Sequence, residues 1–141
     1  MKVKECMTRE VRIADPGETL RDAARTMSEI DAGFLPVGEN DRLVGIITDR
    51  DIAIRAVGTG RESDTRIRDV MSEDIRYCYV DDDVENILDN MAQQQIRRLP
   101  VVDRDKRLVG IVSIGDLATN GETARSGEAL GEIARPSNRH S

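Results

Sequence analysis

The sequence predicts an α+β protein made of two tandem β-α-β-β-α repeats, and three observations carry that prediction. A nine-residue stretch is written twice, as L-V-G-I-I-T-D-R-D at residues 43–51 and as L-V-G-I-V-S-I-G-D at residues 108–116. An apolar i, i+3, i+4, i+7 pattern also occurs twice, as Leu20, Ala23, Ala24, Met27 and, 64 positions on, Val84, Ile87, Leu88, Met91. Between these motifs each half has an L-P-V segment whose prolines, Pro36 and Pro100, keep the same offset.

In chain order, each half opens on a lead-in, with Val3, Cys6, Met7 and Thr8 echoed by Ile67, Val70, Met71 and Ser72. Residues 11–13 and 75–77 alternate as short strands do. Asp15-Pro16-Gly17 and Asp81-Asp82-Asp83 then break them. The helical spacing that follows predicts two amphipathic helices with their apolar stripes inward, the methionines serving as core filler. The L-P-V segments and the L-V-G-I runs predict a pair of strands per half, joined by the polar turns G-E-N-D-R and D-R-D-K-R. A second helix should start at each T/S-x-x-D and run over residues 49–58 and 114–120. Residues 58–64 read as the linker. The organisation expected is therefore one repeat with its lead-in over residues 1–60, a second over 61–120, and a tail over 121–141. Residues 122–135 are expected to hold a short helix and the chain beyond Pro136 to be disordered. A unit of about 60 residues buries too little surface to stand comfortably alone, so the two copies should share one core.

Composition narrows the function classes. The 141 residues carry 21 Lys and Arg against 27 Asp and Glu, a net charge of −6, which disfavours a nucleic-acid binder held by phosphate contacts. Two tyrosines, one phenylalanine and no tryptophan leave few rings to stack bases. Cys6 and Cys78 lack metal-ligand spacing and read as buried apolar thiols, with no metal and no cofactor expected. The sole histidine is His140, in the tail, so no Cys-His or Ser-His pair suggests a nucleophilic enzyme, and no catalytic residue is assigned. With no signal-like h-region and no long apolar run, the expected location is cytoplasmic, without membrane contact.

The junction between the second strand and the second helix holds the chemistry, and it has two readings. Thr48 and Ser113 stand at N-cap positions with Asp51 and Asp116 at N3, which is the pattern of a capping box. Alternatively, each carboxylate accepts hydrogen bonds from a vicinal diol such as a ribose, with the helix amides favouring a nearby anion. Both readings stand on the sequence.

Two halves of this length, each with x-L-P-V and L-V-G-I-[IV]-[TS]-x-x-D-[IL] in matching order, resemble the CBS domain family, as a tandem pair or Bateman module over residues 1–118. The resemblance implies halves packed about a pseudo-two-fold axis, association into a homodimer, and clefts that take adenosine-containing ligands such as AMP, ADP, ATP or S-adenosylmethionine. It implies two composite sites. One joins Thr48 and Asp51 to Ile75, Tyr77, Ile96 and Arg97. The other joins Ser113 and Asp116 to Val11, Ile13, Ala32 and Gly33. Arg97 and Arg98 occupy positions where nucleotide-binding relatives place basic residues near phosphate, whereas the first half has Gly33-Phe34 there, so phosphate should favour the Asp51 site. The function expected is a non-catalytic sensor that acts on a separate effector protein. Its rival is a structural or interaction dimer whose clefts stay empty and whose carboxylates only cap helices.

Overall fold

A computed structural model describes residues 1–119, and the expected tail helix and disorder lie outside them. The chain divides into two compact units, residues 12–75 and residues 1–11 together with the chain from Arg76 onward.

In the 12–75 unit, helix α1 (Leu20–Ile30) starts where expected because Thr19 and Asp22 form a reciprocal capping box. The Asp22 amide donates to Thr19 Oγ1 at 3.2 Å and the Thr19 amide to Asp22 Oδ2 at 3.0 Å. The helix stops at Asp31, which takes a left-handed conformation (φ 52°) and returns its amide to the Met27 carbonyl. Strands β1 (Phe34–Glu39) and β2 (Arg42–Thr48) form an antiparallel hairpin that pairs Phe34 with Thr48. Its turn places Asn40 and Asp41 at positive φ, which these residue types tolerate. The buried face gathers Leu20, Ala23 and Met27 of α1 with Leu35, Val37 and Ile47 of the hairpin.

The other unit repeats this plan. Strand β3 (Cys78–Tyr79) runs parallel to β4 (Arg98–Val102), which pairs antiparallel with β5 (Leu108–Ser113). Helix α2 (Val84–Gln94) ends on Gln95 at φ 55°, the counterpart of Asp31, and helix α3 spans Ile114–Thr119. Val84, Ile87, Leu88 and Met91 are all buried, so the full apolar stripe faces inward. Both cysteines lie in this core as expected, and burial pushes the Cys78 thiol up to about 12.

Four local expectations are corrected. Residues 11–13 and 75–77 are not strands. Pairing begins one residue later, with Ala14 bridging Val37 and Cys78 opposite Val101, because a strand is defined by the edge it meets. Ala24 is exposed although its counterpart Leu88 is buried: a methyl group adds too little apolar area to hold its position on the inner face. The second helix of the first half is a π-helix over Asp51–Ala56, followed by a 3-10 turn over Val57–Thr59. The 58–64 segment is not a free linker. The Ser63 carbonyl accepts from the Arg21 amide, and the Thr65 carbonyl just beyond the segment accepts from the Leu20 amide, covering donors that the first turn of α1 leaves unpaired.

The lead-ins are exchanged between the sequence repeats. Ile67 and Val70, which open the second repeat in sequence, are buried in the core of the 12–75 unit, and Ser72 pairs with Ile46 of β2 through bonds of 3.0 and 2.8 Å. Correspondingly, Val3 and Cys6 lie in the core around α2, and Thr8 pairs with Ile111 of β5 at 2.8 and 3.0 Å. Val3 and Ile67 are both wholly inaccessible, and an aliphatic side chain buried so completely is worth about 1.5–3 kcal/mol.

Candidate functional site

The two T/S-x-x-D junctions fold alike. The Asp51 amide donates to Thr48 Oγ1 at 3.1 Å while the Thr48 amide donates to Asp51 Oδ2 at 3.0 Å. In the other unit the Asp116 amide donates to Ser113 Oγ and the Ser113 amide to Asp116 Oδ2, both at 3.1 Å. Both are capping boxes, so one oxygen of each carboxylate is engaged in its own backbone. At Asp51 the division of labour is complete: Oδ2 serves the cap, and Oδ1 lies 3.7 Å from Arg55 Nη1, one turn along the π-helix. The Asp51 side chain is 17% exposed and that of Arg55 51%, so the carboxylate meets solvent beside a half-exposed cation.

The sequence-predicted residues fall into two sets. Ile13, Ala32, Gly33, Thr48, Asp51 and Ile75 belong to the 12–75 unit, and Val11, Tyr77, Ile96, Arg97, Arg98, Ser113 and Asp116 to the other. Within each unit the start of the first hairpin strand meets the carboxylate junction of the same repeat. The Asp49 amide donates to the Gly33 carbonyl at 2.9 Å, and the Ile114 amide donates to the Arg97 carbonyl at 3.1 Å. Arg98 stands opposite Ser113 in the ladder, as Phe34 stands opposite Thr48. Arg97 and Arg98 are exposed. Asp103 accepts from the Asp105 and Arg107 amides of its own turn.

Beside Gly33 lies a hollow of about 260 Å³ lined by Met27, Ser28, Asp31, Ala32, Gly33 and Asp49. The Asp49 carboxylate closes over Gly33, so that a Cβ at residue 33 would stand 2.3 Å from Asp49 Oδ2 and the exposed Asp49 side chain would have to turn aside. The corresponding positions of the second repeat hold Arg97 and the buried Ile114, which replace two small or acidic groups with a cation and an aliphatic side chain.

Tyr77 and Tyr79 meet edge to face, with centroids 5.7 Å apart and planes at 79°, and Lys106 Nζ stands 5.9 Å from the Tyr77 centroid. The Tyr79 hydroxyl, and then Lys106, holds the Tyr77 phenol below its usual value, and the Tyr77 hydroxyl raises that of Tyr79. Sequence reasoning missed Arg55 and Lys106. Arg55 was findable, because a basic residue four places after an acidic one on a helix is a readable pair. Lys106 reaches Tyr77 only through the fold. Among the described residues, no group of three or more His, Cys, Asp or Glu side chains is placed to hold a metal, and no helix is long and apolar enough to cross a membrane.

Comparison with known proteins matches the chain to the CBS domain family twice, over residues 3–58 and 67–121. The CBS domain-containing protein YhcV of Bacillus subtilis is 42% identical over 133 residues, 94% of each chain. The crystal structure of Hypoxic Response Protein I, solved with two coordinated zinc ions, superposes with a TM-score of 0.77 at 34% identity, covering 85% of this chain and 98% of that one. The CBS domain pair of MJ0100, solved in complex with 5′-methylthioadenosine and S-adenosyl-L-methionine, superposes with a TM-score of 0.74 at 26% identity, covering 88% and 98%. On the repeated junctions, the repeated fold and these matches, the chain belongs to the CBS domain family and carries two CBS domains in tandem.

Proposed function

We propose that this chain is a non-catalytic sensor that binds an adenosine-containing ligand, AMP, ADP, ATP or S-adenosylmethionine, through its T/S-x-x-D carboxylates and acts, as a homodimer, on a separate protein. The observation that carries the reading is the split use of Asp51. Its cap occupies Oδ2, and Oδ1, 3.7 Å from Arg55 on a side chain that is 17% exposed, is the acceptor offered to a ribose diol. The adenosyl ligands of the MJ0100 pair, a relative in the same family, support the choice of ligand class. A specific observation also favours the rival reading, an empty scaffold: both boxes are fully formed, so capping by itself accounts for both hydroxyls.

A thermal melt separates the two. A ligand specific for the native state stabilises it by about 2.7 kcal/mol at a hundred times its dissociation constant, which in a chain of this size raises the melting temperature by roughly 5–10 °C. We expect that rise with at least one of the four adenosyl compounds and little with GMP, whose extra exocyclic group finds no partner in an apolar base pocket. The Asp51→Ala, Asp116→Ala double variant should fold yet lose the response. A wild-type melt that no adenosyl compound moves at millimolar concentration, before or after removal of carried-over ligand, establishes the scaffold reading.

A further inference from the structure

We infer that Arg55 sets ligand specificity at Asp51: it holds the carboxylate's outer oxygen when no anion is present and transfers to the phosphate of a bound nucleotide. The inference rests on the reading of Asp51 as a ribose acceptor.

The geometry shows a contact suited to exchange. At 3.7 Å, Arg55 Nη1 is beyond hydrogen-bonding distance of Asp51 Oδ1, so the guanidinium is a Coulombic neighbour with donors left over. A pair with one partner half exposed is weak and easily given up. A phosphate offers more, because its oxygens match the guanidinium fork two at a time. A nucleotide carries its 5′-phosphate on the same sugar whose 2′,3′-diol Asp51 would accept, and Arg55, four residues along, is the cation already beside that carboxylate.

The consequence is selectivity in two directions. An uncharged nucleoside must compete with Arg55 for Oδ1 and gains nothing in return. A nucleotide displaces the same guanidinium but supplies it with a better partner. The second repeat lacks the device, since the residue four places after Asp116 is Asn120. The π-helix adds a local peculiarity: the wide turn from Asp51 to Ala56 carries Arg55 on a backbone winding that α3 does not share, and such turns concentrate at functional sites.

Calorimetry of the full chain with AMP and with adenosine tests this, on wild type, Arg55→Gln and Arg55→Lys. Arg55→Gln should weaken AMP by about tenfold, the worth of a charge-assisted contact, and leave adenosine unchanged or tighter. Arg55→Lys should keep part of the AMP preference, because it retains the charge without the fork. Equal weakening of both ligands in Arg55→Gln overturns the inference, making Arg55 a support of the helix, as does no change in either. Wild-type protein that binds neither compound overturns the ribose reading of Asp51 and the role of Arg55 with it. Matching melts of wild type and Arg55→Gln check that the exposed substitution leaves the fold intact.

Discussion

The same backbone plan is filled differently in the two units. Around α2, Ile87, Leu88 and Met91 are all buried, whereas α1 buries Ala23 and Met27 and turns Ala24 to solvent. At the carboxylate junction the order is reversed: the α1 unit holds the exposed Asp49 and a π-wound helix with Arg55 beside Asp51, while the α2 unit packs Ile114 and Leu117 into its core. At these two places the copies differ, one in buried aliphatic volume and the other in the charge set beside its carboxylate.

The largest effect that sharpens this contrast lies in the helices. Leu88→Ala should destabilise by about 2–5 kcal/mol through lost burial and the cavity left behind. At the matching position Ala24→Ser should change stability by no more than about 0.5 kcal/mol, because the site is exposed. Urea denaturation measures both. Comparable losses would mean that the two helices share the burden of the core equally.

A smaller effect is expected where each lead-in crosses a strand glycine. A Cβ at Gly110 would stand 2.8 Å from the Thr8 carbonyl oxygen and 2.8 Å from Met7 Sδ, whereas one at Gly45 would meet Met71 Sδ at 2.6 Å and the Ser72 carbonyl oxygen only at 3.1 Å. A methionine side chain gives way and a paired backbone does not. Gly110→Ala should therefore cost about 1–3 kcal/mol, in the range of overpacked cores, and Gly45→Ala less. Adding Met71→Ala should restore more of the loss at Gly45 than Met7→Ala restores at Gly110. Equal restoration in denaturation curves would place the obstruction in the side chains of both units.

What the sequence revealed and what it hid follow from the range of each interaction. The capping boxes at Thr48 and Ser113, the apolar stripe of α2 and the pairing of each L-P-V strand with the following L-V-G-I strand were legible because each depends on residues a few positions apart. The exchange of lead-ins was not, since the Thr8–Ile111 and Ser72–Ile46 pairings join segments far apart in the chain and leave no periodic trace. Residues 11–13 alternate like a strand, yet no edge receives them. Ala24 misled because alanine satisfies a helical apolar pattern without committing to a core. At the site, Asp51 and Asp116 could be named from their motif. The cation beside Asp51 needed only the i, i+4 spacing to be seen.

The smallest expected effect concerns how the helices begin. In α1 the N-cap Thr19 serves the helix directly. In α2 the N-cap Asp83 makes no side-chain cap bond, and its carboxylate instead accepts from Lys2 Nζ at 2.8 Å, tying the N-terminal lead-in to the helix. The hydrogen bond and then the charge of Lys2 hold the Asp83 carboxyl below its usual value, and the same partner raises Lys2 above its own. Each shift has a definite sign in stability. The depressed Asp83 contributes fully above the ordinary carboxylate range, about pH 4, and its contribution disappears as pH falls through the lowered value. The raised Lys2 contributes fully below about pH 10.5 and loses its contribution as pH climbs through the raised value. Asp83→Asn should therefore melt slightly below wild type by a constant margin between these limits, and the margin should narrow toward both extremes, as the carboxylate gains its proton or the ammonium loses its own. Both partners are solvent-exposed, so the margin is small and should shrink with added salt. Melting temperatures of the two proteins, taken pairwise from pH 3 to 11, provide the measurement. A margin that stays constant to both ends would show that Asp83 acts on α2 through its shape, as a cap in the manner of Thr19, and that the two helices begin by the same means after all.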